Sequence, residues 1–445
     1  MTSIERLSGW GRYPSVDCRV ERPRTEAALK AVVASGSVMI ARGNGRAYGD
    51  SALNRDATLG MSGFDHMLDF DPQTGVLTVE AGVLLGDIVE AFLPRGWFPP
   101  VTPGTKFVTV GGMIAADVHG KNHHRDGSFG GFVAWFDLLC ADGEVRRCSV
   151  DDNADLFRFT IGGMGLTGVI LRVAFRLVPV ETAWIRQKML PAAGLDQAIA
   201  QFEEASEWTY SVAWIDCLAT GANLGRSLVM LGEHARLADL DFRRRAAPFA
   251  TPSKRRLTVP FDAPGFTLNR YAVRAFNALY YRKGKASSGM SLVDWDSYFY
   301  PLDAINGWNR IYGRRGFAQF QCVIPLASTR AGMAELLRTI SAAGQGSFLA
   351  VLKRLGPQTS AFSFPMEGYT LALDFPVGTA SLALLERLDA ITLDHGGRFY
   401  LAKDARMSAS TFERADGRVA DMRAFRRAAG ADNHFASLQS MRLGL

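Results

Sequence analysis

An α+β architecture spread over two or three domains is what this sequence predicts, and three observations carry the prediction. Its 445 residues exceed what one ordinary core encloses. Strand-like runs bounded by tight turns are interspersed with amphipathic helical stretches along the chain. Two glycine-rich loops, ARGNGRAYGDS at 41–51 and VTPGTKFVTVGGMIAADVHGKNHH at 101–124, each lie beside short apolar, strand-like segments. The composition is globular, 48% hydrophobic and 21% charged, with no long low-complexity tract to break the chain.

Taken in order, residues 25–35 open on a threonine cap and repeat apolar residues at helical spacing. SVMIARGNG at 37–45 is a strand entering the first glycine loop. Residues 66–92 give a strand, a DPQTG turn, a second strand and a helix opening at Gly86-Asp87. After the second glycine loop, residues 132–150 form a hairpin around Ala141-Asp142-Gly143. From 154 a helix passes through glycines into the strand VILRVAF. Gly163-Met164-Gly165-Leu166-Thr167-Gly168 spells GxGxxG. A Rossmann turn leaves a strand and opens a helix onto the phosphates, whereas here a helix precedes and a strand follows. The Rossmann reading is therefore rejected, and packing of these glycines against a flat ligand stays open.

Composition shifts after Pro179. YSVAWIDCLA at 210–219 is strand-like, and two basic runs follow, RRRAAPFATPSKRRLTVP at 243–260 and YRKGKASSG at 281–289. Neither has clean periodicity, so both read as mobile surface loops. They are either solvated linkers or a collar that attracts an anionic substrate or anionic lipid headgroups. GFAQFQCVIP, SFLAVLKRLGP and GYTLALDFP are strands, with a helix near 330–344. A further helix at 381–397 ends on a glycine stop, and RFYLAKDAR at 398–406 precedes a polar helical tail.

The net charge of +6 suits an acidic small ligand or an anionic membrane surface, and no aromatic-plus-basic RNA-binding motif occurs, so nucleic acid is not an expected partner. Cys18, Cys140, Cys148, Cys217 and Cys322 are scattered without a CxxC pair, which points to a reducing compartment. MTSIERLSGWGRYPS lacks the apolar core of a signal peptide, and no long apolar run follows. The expected location is cytoplasmic or peripheral to a membrane, without a transmembrane helix.

The loops carry the chemistry. Gly43, Gly45, Gly49, Gly104, Gly111 and Gly112 remove Cβ atoms where a backbone must approach something closely. Successive N–H groups in such loops form a concavity suited to a pyrophosphate, and Arg42, Arg46 and Lys106 add positive charge. Two loops and the HGKNHH cluster favour a bound dinucleotide over a pair of empty turns. His119 and His123 are four apart, as in a metal pair, with His124 beside them. Gly120 and Asn122 disfavour a helix there, however, and no third ligand is evident, so no metal is expected. Lys353 and Lys403 stand in apolar runs where a lysine has a specific partner. Gln319 and Gln321, two apart on a strand, share a face and make a pocket wall.

In this order the segments resemble the vanillyl-alcohol oxidase/p-cresol methylhydroxylase class of FAD-dependent flavoproteins. Within it, ARGNGRAYGD, PGTKFVTVGGMIAADVHGKNHH, GGMGLTG, GWNRIYG, GFAQFQCVIP and RFYLAKDAR are similar to the decaprenylphosphoryl-β-D-ribose 2-oxidase family over almost the whole chain. The resemblance implies an FAD-binding domain of two subdomains over 1–182 and an α+β substrate (cap) domain over 183–397, with 398–445 returning to the first. It implies oxidation of the 2-hydroxyl of a polyprenyl-phosphoryl-β-D-ribose, an anionic lipid-linked sugar. An NAD-dependent keto-sugar reductase would complete epimerisation to the arabinose donor. A secondary alcohol has no acidic C–H, so its oxidation needs hydride transfer to flavin N5 while a base takes the hydroxyl proton.

By the same resemblance Arg42, Gly43, Asn44, Gly45, Arg46, Ala47 and Tyr48, with Pro103, Gly104, Thr105, Thr109, Gly111 and Gly112, hold the pyrophosphate and adenosine portions. Ala116, His119, Gly120, Gly165, Gly168, Val169, Ile170 and Tyr400 complete the cofactor set, with His119 and Gly120 along the isoalloxazine ring. Lys121, Gln319, Gln321, Lys353, Thr370, Ala372, Asp374 and Lys403 line the substrate pocket, and Tyr48, Trp214 and Tyr400 are among its aromatic walls. Lys403 is the first choice for the catalytic cation or base, and His119 is the competing base. Residues 41–51 contain no histidine, so the FAD is expected to be non-covalent. Ala372, Thr370 and Phe299 replace the family's Cys, Asn and Tyr, which leaves the sugar and the lipid chain open. The alternatives are an FAD enzyme of a soluble sugar, alditol or aldonolactone, and a flavin-free structural protein.

Overall fold

The computed structural model describes residues 2–254, 257–264 and 268–445. Strands β1 (Thr2–Ser8), β2 (Ser15–Glu21), β3 (Met39–Arg42) and β4 (Ala57–Gly60) form a sheet in the order β1-β2-β4-β3, and helix α1 (Glu26–Val33) links β2 to β3. Thr25 caps α1 by accepting from the Ala28 N–H, as its place before the first apolar repeat predicts.

The hairpin of β5 (Met67–Asp71) and β6 (Val76–Glu80) leads to α2 (Leu85–Phe92) and the short β7 (Trp97–Phe98). Then come α3 (Val110–Ala115), α4 (His123–Asp126), the hairpin β8 (Val133–Leu139) and β9 (Val145–Ser149), α5 (Ala154–Thr160) and β10 (Val169–Arg176). These strands make a second sheet, β5-β6-β10-β8-β9, and β11 (Val178–Pro179) pairs with β7. The glycines at 163–168 link α5 to β10, the helix-then-strand order that rules out a Rossmann turn.

An antiparallel sheet of eight strands, β16-β12-β14-β13-β19-β20-β18-β21, organises the rest. Its chain order is β12 (Trp184–Ala192), α6 (Leu195–Glu204), β13 (Tyr210–Ile215), β14 (Ser227–His234), α7 (Phe242–Ala246), β15 (Leu257–Thr258), α8 (Arg270–Ala286) and β16 (Gly289–Asp294). It continues with α9 (Trp295–Phe299), β17 (Ile305–Asn306), β18 (Phe317–Pro325), α10 (Thr329–Ala343), β19 (Ala350–Leu355), β20 (Gly368–Pro376), α11 (Thr379–Asp394) and β21 (Arg398–Phe399). Side chains alternate across a strand, so one face buries Phe320, Cys322, Leu352, Leu371 and Leu373 with Leu337 of α10 and Leu388 of α11. The register pairs Gln319 with Asp374, Ala372 with both Gln321 and Val351, and Lys353 with Thr370, and it sets Trp214 opposite Val351. All of these therefore share the other face, from which the site is built.

Helices α12 (Ala409–Ala415), α13 (Val419–Ala428) and α14 (Leu438–Leu443) close the chain, and this segment is stitched back to the first sheet. Met39 N–H donates to His434 O at 2.8 Å, Ala436 N–H to Met39 O at 2.9 Å, and Leu438 N–H to Leu53 O at 2.8 Å. The Arg442 guanidinium bridges Asp50 and Asp404 at 2.8 and 2.9 Å.

Three stretches depart from the expected loops. Residues 281–286 form the last turns of α8. Gly284, which reads as a breaker, is buried, because a Cβ there would meet Leu228 Cδ1 at 2.2 Å; glycine lets the helix seat on β14. Residues 243–246 belong to α7, which Asp241 caps, and 257–258 pair with β17; Arg255 and Arg256 lie outside the described residues. The second glycine loop contains α3, whose Gly112 N–H donates to Thr109 Oγ1 at 3.3 Å. The single turn α4 begins directly after Asn122, so the residues that disfavour a helix stay outside it.

Candidate active site

The two glycine loops lie against each other. A Cβ on Gly43 would fall 2.2 Å from Thr109 Oγ1, and Asn44 Nδ2 donates to Phe107 O at 2.8 Å. Much of the glycine content thus serves the protein's own packing. Cβ atoms on Gly111, Gly120 and Gly168 would meet Ala81 Cβ at 2.9 Å, Asn122 Oδ1 at 2.6 Å and Leu139 O at 2.7 Å. Gly104, by contrast, is exposed and would meet nothing within 4 Å, and Gly165 takes a left-handed φ of +78°. Pro103 and Thr105 flank Gly104, half-buried, while Tyr48 N–H donates to Ala402 O and Trp10 N–H to Ala47 O.

The expected cations separate. Arg42 turns its guanidinium to Ser8 O and Ala52 O, and Lys106 pairs with Asp296 at 2.7 Å, so both are spent within the protein. Arg46 lies over the Trp10 ring at 4.5 Å, and its buried Nε has no partner among the described residues. Burial lowers its pKa from the ordinary arginine value. Val169 and Ile170 point their side chains into apolar cores, which leaves them only backbone to offer a ligand.

HGKNHH places one histidine in the site and uses two as braces. His119 is buried against Phe364 and Tyr400, with ring centroids 5.5 and 5.1 Å away. Gln321 Nε2 lies 3.1 Å from His119 Nε2. An amide nitrogen only donates, so His119 Nε2 accepts and Nδ1 carries the proton, buried and without a partner among the described residues. Burial, with help from Lys353, His123 and Lys403, holds this imidazole well below the ordinary histidine pKa. His123 bonds Gln358 Oε1 at 2.7 Å and accepts from Gly356 N–H at 3.1 Å, while His124 bonds Trp208 O at 2.8 Å. Among the described residues the grouping with metal-ligand spacing is elsewhere, at the surface residues Asp65, His66 and Glu80.

Asp117 and Gln358 went unread in the sequence. Gln358 Nε2 donates to Asp117 Oδ2 at 3.0 Å, and the buried carboxylate also accepts from Ser128 Oγ at 2.7 Å and Gly130 N–H at 2.8 Å. Tyr400 OH donates to Ala116 O at 3.0 Å, tying the YLAKD turn to the end of α3. The partners of Asp117 come from segments up to 241 residues away, and no local spacing announces them.

Near His119, Lys353 lies within electrostatic reach of both Lys121 and Lys403, and Asp374 faces Lys403. Lys121 Nζ donates to Tyr298 O and sits 4.0 Å over the Tyr298 ring; burial, reinforced by Lys353, lowers its pKa to about 7. Lys353 has no ion pair or hydrogen bond among the described residues, and burial lowers it to about 8. Lys403 Nζ lies 3.6 Å over the Tyr48 ring, and its pKa is lowered by burial against the opposing pull of Asp374. Asp374 accepts from Gln319 Nε2 and from Tyr312 OH at 3.3 Å, and burial raises its pKa. Gln321 Nε2 also donates to Thr370 Oγ1 at 3.2 Å. Ala372 lines the same face, and Trp214, covered by Tyr280 at 4.8 Å, borders it. A charged amine in so enclosed a setting is costly without an anion, so the cluster is built for a negatively charged guest.

The chain is similar to known flavoproteins. A family described as an FAD binding domain matches residues 19–149. A decaprenylphosphoryl-β-D-ribose oxidase of Mycolicibacterium smegmatis is 37% identical over 100% of this chain and 98% of its own. An uncharacterised Streptomyces coelicolor protein is 34% identical over 82% of this chain and 100% of its own. The human Δ(24)-sterol reductase is 28% identical over 32% of this chain and 27% of its own.

Proposed function

This chain belongs to the decaprenylphosphoryl-β-D-ribose oxidase family, and on that premise we propose that it oxidises the 2-hydroxyl of a polyprenyl-phosphoryl-β-D-ribose to the 2-keto sugar. It is an FAD-dependent oxidoreductase. Support for FAD at the paired loops comes from two buried donors without partners among the described residues, Arg46 Nε and His119 Nδ1, and from Gly104, whose missing Cβ faces open space. Bound there, FAD supplies the acceptor for the carbinol hydride. The observation that carries the substrate reading is the group of enclosed amines Lys121, Lys353 and Lys403, in which Lys353 acts on the other two and Asp374 faces Lys403.

Each side chain has a distinct task in this reading. Lys121 and Lys353 bind the phosphate-bearing end of the substrate by charge. Gln319 and Tyr312 hold the Asp374 carboxyl in place, and Tyr48 sets the position of the Lys403 amine above its ring. Lys403 takes the hydroxyl proton, since its lowered pKa leaves a neutral amine available near neutral pH. His119 is the poorer base, because its Nε2 lone pair is already engaged by Gln321 and its pKa is depressed further. The NAD-dependent reductase that would follow is the functional partner the chemistry calls for, since a 2-keto sugar must be reduced to complete an epimerisation.

The visible spectrum of the purified protein, recorded without oxygen before and after adding a short-chain polyprenyl-phosphoryl ribose, tests the reading. A flavin band that bleaches is the expected result. A band that stays oxidised overturns the substrate and moves the assignment to a soluble sugar, alditol or aldonolactone.

A further inference from the structure

Helix α8 is held to the eight-stranded sheet by a narrow stripe, with Val273, Asn277 and Gly284 buried against it. Asn277 Nδ2 donates to Asp216 Oδ1 at 2.7 Å, and Tyr281 OH reaches Ala192 O at 3.3 Å. At 3.6 residues per turn the opposite face carries Tyr271, Ala275, Ala278, Leu279, Arg282, Lys285 and Ala286. Tyr271, whose ring carries the Arg270 guanidinium at 4.9 Å, and Leu279 are 68% and 66% exposed. Arg274 and Lys283 flank this ridge, and the 17 residues of α8 contain no aspartate or glutamate. On its flank nearer the protein, Phe276 packs on Phe348 at 4.9 Å and Tyr280 on Trp214 at 4.8 Å. One helix thus roofs the wall of the site and presents an apolar, basic ridge outward.

From this face we infer that α8 lies flat on the surface of an anionic lipid bilayer, Tyr271 and Leu279 entering the headgroup boundary while the arginines and lysines meet lipid phosphates. The chemistry favours lipid over a protein partner. Long basic side chains extend past an apolar ridge to reach headgroups, and an acid-free helix complements a uniformly negative plane. No helix of the described residues is long and apolar enough to cross a membrane, so attachment of this kind is interfacial. The inference rests on the lipid-linked substrate proposed above. It would set the lysine cluster at the bilayer surface, where a polyprenyl phosphate presents its sugar and keeps its tail in the membrane.

Flotation of the FAD-loaded protein with vesicles of phosphatidylglycerol and phosphatidylcholine in equal parts, and of phosphatidylcholine alone, tests it. Leu279→Glu and the triple variant Arg282→Ser, Lys283→Ser, Lys285→Ser are run alongside, with turnover of a short-chain, water-soluble substrate measured for each. The expected result is salt-sensitive binding to the anionic vesicles alone, falling about 100-fold in the triple variant at about one kilocalorie per charge. Wild-type binding that is absent, or that both variants retain in full, overturns the inference. Failure to bind with turnover intact sinks the helix assignment alone. Binding intact with no turnover in the wild-type protein sinks the catalytic reading alone.

Discussion

Lys353 is an amine to which folding gives no partner among the described residues, and that placement has a stability signature. An unfolded lysine titrates near 10.4, whereas Lys353 and Lys121 are lowered to about 8 and about 7. Between those values the unfolded chain binds more protons, so the stability of the ligand-free protein rises as pH climbs from about 7 towards 10. Lys353→Met is expected to raise the stability at pH 7 by on the order of 2 kcal/mol, read as a higher melting temperature, and to lose most of that gain by pH 10. An equal gain at both values would mean that the amine is not held in a dry setting. Lys403→Ala is expected to cut turnover about 1,000-fold with the flavin still bound, which stopped-flow reduction of the variant reads directly. Lys353 and Lys403 drew notice in the sequence because each stands in an apolar run, and Lys121 through the family resemblance. Their grouping was not, since it depends on the register that sets Lys353 beside Thr370 and Gln319 beside Asp374.

Elements decide whether the two glycine loops act as one site. Gly43 is the point of contact, and any side chain there must displace Thr109, which also caps α3. Gly43→Ala is therefore expected to loosen both loops at once, at a cost of about 1–2 kcal/mol. A thermal shift in which flavin fluorescence appears before the protein unfolds would report it. Unchanged flavin retention would assign Gly43 to turn geometry alone. The hairpins at 66–80 and 132–149 and helices α1, α10 and α11 follow their local patterns closely. The basic runs did not, because Gly284 and the arginines around 243 carry no periodicity of their own; packing on Leu228 and the cap from Asp241 make them helical. Asp117 escaped notice for a related reason. Its partners Ser128, Gly130 and Gln358 are gathered by tertiary structure.

For the molecule as a whole, the loops offer donors, apolar contact and charge, and no histidine stands in 41–51 to bond the cofactor covalently. Acid precipitation is expected to leave a colourless pellet and a yellow supernatant, and colour retained in the pellet would overturn non-covalent attachment. The returning C-terminal segment bears on a different matter, the order in which the protein can be made. β3 leads into the first glycine loop, yet its outer edge is completed by His434 and Ala436, and Arg442 ties Asp50 to Asp404. While a ribosome is still translating the strands of the eight-stranded sheet, that edge lacks the partners His434 and Ala436 and the loop beyond it lacks their backing. A nascent chain should thus take up its flavin only after residue 442 has emerged, so cofactor loading follows synthesis and any chain stalled earlier stays colourless.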